Sequence, residues 1–151
     1  DLEDPLYERG RPVYLVSNAP AGPEPIKRVL LAWNGSREAA RAAFDALPFL
    51  TEAEEVEIFT IDPPDNSMQS ADFCGAELAA TLARHGVKTT VASGHSGSHS
   101  VAETLNRRAT EIDADLVVMG AYSHSRLRQR LFGGVTSAMM RGARVPTLMS
   151  R

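Results

Sequence analysis

The chain has a single cysteine, Cys74, and so cannot close an intramolecular disulfide. No apolar run approaches the roughly 20 residues that span a bilayer. The start, Asp1-Leu2-Glu3-Asp4, is acidic where a secretory leader would be basic and then apolar. A formal net charge of -3 gives no general attraction to nucleic acid or anionic lipid. Together these absences lead to the expectation of a cytoplasmic protein with neither nucleic acid nor membrane as a partner. Two catalytic signatures are missing as well. No Gly-x-x-x-x-Gly-Lys-Ser/Thr run is present to support a Walker-type hydrolase, and no Gly-x-Ser-x-Gly elbow frames a serine. The chain also opens without an initiator Met, as a trimmed chain or a fragment would.

Against these absences, 43% of the 151 residues are hydrophobic, enough for one domain with a sizeable core. Five short apolar runs read as strands: 29–33, 56–61, 89–93, 116–119 and 147–150. Segments of helical spacing separate them. Ala40, Ala43, Phe44, Leu47 and Leu50 make an apolar face that Ser36 can cap. Ala76, Ala79, Leu82 and Ala83 make a second face, ending at Gly86 as a C′ residue. Val101, Leu105, Ala109 and Ile112 make a third, capped from Ser98 or Ser100, and Leu127, Leu131, Val135 and Met139 a fourth. Strictly alternating strands and helices predict an α/β fold: an open, five-stranded, mostly parallel sheet with helices on both faces. Ligands of such sheets bind beyond the carboxyl ends of the strands. The tips of interest are therefore 34–36, 61–64, 93–98 and 120–130.

Residues 1–25 differ in style. They read as an N-terminal arm and linker ahead of a domain spanning 26–151. Within them Arg11 to Ser17 is a strand candidate, followed by the Pro/Gly-rich stretch 20–25. The chain's end has the same flavour, with Arg141-Gly142-Ala143-Arg144-Val145-Pro146 leading into the last apolar run. The arm reads equally as the tail of a preceding repeat and as an ordinary extension.

The densest signal lies in the last third. Leu116-Val117-Val118-Met119-Gly120 is an apolar run ending at glycine, Ala121-Tyr122-Ser123 follows, and Gly133-Gly134-Val135-Thr136 opens a helical pattern. This is the layout of a phosphate cradle, in which glycines let backbone N–H groups approach an anion at a helix N-terminus. The spacing resembles the signature of the universal stress protein family: Gly, two residues, Gly, nine residues, then Gly with Ser or Thr. Gly120 and Gly133 match, Ser123 stands at the middle glycine, and Gly134 stands at the hydroxyl residue. The opening 29–36 is similar to the family's first strand and turn, with Asn34 where an Asp commonly precedes Gly-Ser.

What the resemblance implies is a Rossmann-like sheet of the adenine nucleotide alpha hydrolase type, binding ATP or ADP, with or without Mg. Ala32 and Asn34 would lie on the nucleoside side, and the backbone at Thr60 and Ile61 on the adenine edge. Met119 and Gly120 would form the floor. Gly120, Tyr122, Ser123, Gly133, Gly134 and Val135 would surround ribose and phosphates. Asn34 keeps an acceptor but loses charge, Ser123 brings a Cβ to a tight position, and Gly134 lacks a hydroxyl. Arg126, with Arg128 and Arg130, offers compensating charge or forms a solvated face. The resemblance also implies a homodimer, or a pseudo-dimer of tandem repeats, through the last strand, which would then be a sheet edge.

The remaining reactive residues have plainer readings. His95 and His99 are four apart, but Gly94 and Gly97 place them in a loop or at a helix start, with no third metal ligand nearby. Cys74 fits a small packed side chain better than a nucleophile. Three functions follow: a stress-responsive regulatory domain binding ATP or ADP without organised catalysis, a family member that has lost nucleotide binding and serves as a dimerising interaction module, and a flavodoxin-like or small hydrolytic enzyme, for which no nucleophile–base pair is present.

Overall fold

The computed structural model describes residues 4–8, 11–16, 25–65, 75–120 and 145–150. Seven strands form one sheet: β1 (Asp4–Glu8), β2 (Arg11–Val16), β3 (Arg28–Ala32), β4 (Glu55–Ile61), β5 (Thr89–Gly94), β6 (Leu116–Gly120) and β7 (Thr147–Ser150). Their order is β1-β2-β7-β6-β3-β4-β5. The five strands β7, β6, β3, β4 and β5 are parallel, as the alternating pattern predicts. β2 runs antiparallel to β7, and β1 antiparallel to β2. β3 lies mid-sheet, the chain moves outward through β4 and β5, then returns to set β6 and β7 on β3's other side.

Four described helices are α1 (Arg37–Asp45), α2 (Leu47–Glu52), α3 (Ala76–Arg84) and α4 (Val101–Glu111). Alternation along the strands sorts the core into two layers. Val29, Leu31, Val56, Ile58, Leu116 and Val118 pack with Ala42, Ala43, Leu50, Leu78 and Leu82 of α1, α2 and α3. Leu30, Phe59, Val117, Met119 and Met149 pack with Ala102, Leu105 and Ala109 of α4. Both faces of the central strands are thus apolar and covered, as parallel strands require.

Several expectations need correcting. The last strand is not an edge: β7 lies between β6 and β2, because the N-terminal hairpin supplies the backbone partners that a bare apolar strand needs. The first apolar face is rotated by about one position and broken by Pro48. Ala39, Ala42, Ala43 and Ala46 are buried, while Phe44 stands 40% exposed with its ring edge-on to His85. Small alanines form the face that α1 turns to β6 and β7. On α3 the buried residues are Leu78 and Leu82, with Ala76 and Ala83 exposed. On α4, Val101 is 39% exposed and Thr104 takes the inward position. Gly86 is the expected C′ residue, at φ +84. The expected fourth helix and Cys74 lie outside the described residues.

Candidate functional site

The β3–β6 pairing runs from Val29↔Leu116 to Leu31↔Val118 and stops. Beyond it β3 continues against β4 alone, through Ala32↔Phe59 and the Trp33 N–H to the Phe59 carbonyl at 2.9 Å. β6 continues against β7 alone, through Met119↔Met149 and Gly120↔Ser150. The two middle strands therefore part at their carboxyl ends. They are also where the strand order reverses, which is the switch point at which open α/β sheets bind ligands.

Of the residues expected there, Ala32, Ile61 and Met119 pack on one face of the sheet, at the ends of three neighbouring strands. Thr60 is fully buried and, by alternation, faces the opposite layer. Asn34 is half-buried, and its Oδ1 accepts the Ser36 N–H at 3.0 Å. The acceptor expected to face a nucleoside thus commits one of its two lone pairs to its own turn. Ser36 caps α1 as expected, its Oγ accepting the Ala39 N–H at 3.1 Å.

Gly120 is required for a different reason from the one its motif suggests. A Cβ there would meet the Ala39 nitrogen and the Glu38 carbonyl carbon, each at 2.6 Å. The missing side chain makes room for the first turn of α1, which brings the capped helix N-terminus against the end of β6. Tyr122, Ser123, Arg126, Gly133, Gly134 and Val135 lie outside the described residues.

On the far side of the crevice the tips of β4 and β5 are fastened by Asp62, which the sequence reading passed over. Its backbone is left-handed, φ +53, and its N–H donates to the Gly94 carbonyl at 2.8 Å. Its carboxylate accepts the Ser96 hydroxyl at 2.5 Å and the Ser96 N–H at 3.0 Å, with His95 Nδ1 3.5 Å away. The Ser96 hydroxyl first, then its N–H, hold the Asp62 carboxyl below the usual carboxylate range. An Asp placed after a strand and before Pro63-Pro64 was the available signal. His99 lies 3.5 Å from Glu103, and no cluster suited to a metal occurs among the described residues. Ser100 caps α4 reciprocally with Glu103. The Trp33 Nε1, buried at the end of β3, has no hydrogen-bond partner among the described residues.

A five-stranded parallel core with a crevice at its switch point defines a doubly wound α/β protein. The family model described as the universal stress protein family matches residues 25–151, and the chain belongs to that family. Among solved structures, it is similar to a universal stress protein in complex with cAMP, at 22% identity and TM-score 0.64, over 83% of this chain and 97% of that one. It is likewise similar to universal stress protein UspA from Lactobacillus plantarum, at 16% identity and TM-score 0.64, over 85% and 99% of the two chains. A family protein from Burkholderia pseudomallei gives 24% identity and TM-score 0.61, over 85% and 98%. No curated protein sequence matches. Among the described residues, no helix is long and apolar enough to cross a membrane.

Proposed function

We propose that this universal stress protein domain binds an adenine nucleotide in the crevice between the ends of β3 and β6, as a cytoplasmic regulatory domain without organised catalysis. The observation that carries the reading is the parting of β3 and β6 beyond Leu31 and Val118, with the capped start of α1 set against Gly120. That places a positive helix terminus at the mouth of the crevice. The glycine spacing from Gly120 to Gly133 and Gly134 supports phosphate as the group received there. A structural neighbour's complex with cAMP supports an adenine ligand.

A second reading, an interaction module that has given up nucleotide, draws on Asn34. Its side-chain oxygen already accepts from Ser36, so it offers a ribose hydroxyl one remaining lone pair and no charge.

Calorimetry with ATP, ADP and cAMP on the purified chain separates the two. The nucleotide reading expects saturable binding that Gly133→Val abolishes while the circular dichroism spectrum is kept. No heat with any of the three, and no nucleotide released on denaturation, would leave the interaction module standing.

A further inference from the structure

We propose that the open edge of β5 pairs with β5 of a second copy, antiparallel and centred on Val91, so that two sheets join at the end opposite the N-terminal hairpin. Among the described residues β5 has β4 as its one neighbour, while β1 closes the other end of the sheet. Edge strands are ordinarily guarded by charge or proline. β1 follows that rule, with Pro5 between Asp4 and Glu8. β5 does not, since Thr89-Thr90-Val91-Ala92-Ser93-Gly94 has neither a charge nor a proline.

The direction of its backbone groups sets the register. The Lys88 carbonyl accepts the Val56 N–H and the Gly94 carbonyl accepts the Asp62 N–H, both from the β4 side and each at 2.8 Å. Alternation turns Thr90 and Ala92 toward β4 as well, and points the N–H and C=O of Thr89, Val91 and Ser93 outward. Thr89 and Ser93 stand at equal distances before and after Val91. A second β5 related by a two-fold axis at Val91 therefore sets Val91 against Val91 and Thr89 against Ser93. Each is a pair that exchanges both backbone bonds, so no outward group is left over. A shift by one residue would oppose outward groups to inward ones.

The side chains agree with that centre. Val91 pairs with Ile58 and so faces the layer of α3. The start of α3 rests on Ile58, where a Cβ at Gly75 would come within 2.6 Å of its Cγ2, and Val91 is left 44% exposed. Opposing Val91 to its own copy covers it. Charge selects the occupant. Exposed Lys88 would lie opposite Gly94 of the second copy, beside the half-exposed Asp62 carboxylate at that tip, and the two-fold axis repeats the contact at the other end. An unrelated extended peptide could satisfy the backbone, whereas a second copy also brings an acid to Lys88 and a base to Asp62.

The test uses the full chain. Light scattering across roughly 1–200 μM, where ordinary subunit affinities are visible, should show the wild type passing from monomer to dimer. Over the same range hydrogen exchange should slow at the Thr89, Val91 and Ser93 amides. V91K sets like charges face to face on the axis and should weaken the dimer at least roughly tenfold. V91P removes an outward donor that β4 does not use and should weaken it likewise, with the circular dichroism spectrum of both variants kept. A wild type that stays monomeric throughout overturns the proposal. So does a wild-type dimer in which those three amides exchange as fast as in the monomer, a result that depends on no variant. A dimer that folded V91K and V91P leave unchanged overturns it as well.

Discussion

Arg108 of α4 grips Glu57 of β4 with two near-parallel hydrogen bonds, Nε to Oε2 at 2.8 Å and Nη2 to Oε1 at 2.7 Å. The Glu57 side chain is only 9% exposed, and the guanidinium carbon lies 5.5 Å from the centre of the Phe59 ring. Glu57's hydrogen bonds raise the arginine's pKa further above its ordinary value. The fork joins α4 to the sheet in a place where the flanking strand residues are apolar.

Removing one half of that pair strands the other. Arg108→Met is expected to cost about 3–5 kcal/mol, because Glu57 keeps its burial and loses its partner. The double change Arg108→Met with Glu57→Leu should recover most of the loss, since an apolar pair of similar volume needs no compensation. Urea unfolding of the three proteins measures both, and a double variant no better than the single would show that packing against Phe59 was the larger effect.

Two glycines should respond differently to alanine. Gly120→Ala drives a methyl group into the backbone of Glu38 and Ala39, and overpacking of that kind costs about 1–3 kcal/mol. At Gly86, φ is +84 and a Cβ would meet nothing within 4 Å. The cost there is conformational only, roughly 1–2 kcal/mol, and Gly86→Asn should relieve it in part where Gly120→Asn should not. Thermal unfolding of the four variants tests the distinction.

Acid should loosen the β4–β5 tips. The Asp62 pKa is depressed in the folded protein, so its contribution is present above the unfolded carboxylate value near about 4 and is lost as pH falls through the folded value. Glu103 behaves likewise, held down first by the Ser100 N–H and then by the Ser100 hydroxyl. Melting curves of wild type and Ser96→Ala should therefore separate above pH of about 4 and converge below it. A constant offset at every pH would mean that the serine acts without the carboxylate.

Asn34→Asp should leave the turn intact, because one carboxylate oxygen can take over the Ser36 N–H, and it frees the other to accept a ribose hydroxyl. A charged hydrogen bond of about 1.5 kcal/mol or more predicts roughly tenfold tighter ATP or ADP binding. Titration calorimetry reads it, and an unchanged or weaker affinity would place the ribose away from position 34.

The central parallel strands were legible in the sequence because β3, β4 and β6 are short, largely apolar runs bounded by turn residues, and the run from Leu116 to Met119 ends within one residue of β6. The face of α1 was not, because periodicity weighs Phe44 above Ala42, whereas Ala42 is fully buried and Phe44 stands 40% exposed. The cover over β7 depends on a partner more than a hundred residues away, which local pattern does not report. At the crevice, the tips 34–36 and 120–130 follow from where the apolar runs of β3 and β6 stop. Asn34 was noticed for what it lacks compared with Asp, but its bond to Ser36 is a property of the folded turn. Asp62 was passed over because its importance comes from where β5 brings Ser96.

The contact between Gly120 and α1 changes what a glycine motif can be used to diagnose. Selection at that position acts on the helix–strand fit even in a lineage that has stopped recognising any nucleotide, because a side chain there would displace Glu38 and Ala39 whatever the crevice holds. The first glycine of the signature is therefore a marker of architecture. A survey sorting such proteins into binders and non-binders would gain little from it, and would have to weigh instead the positions whose side chains are free to change without moving a helix.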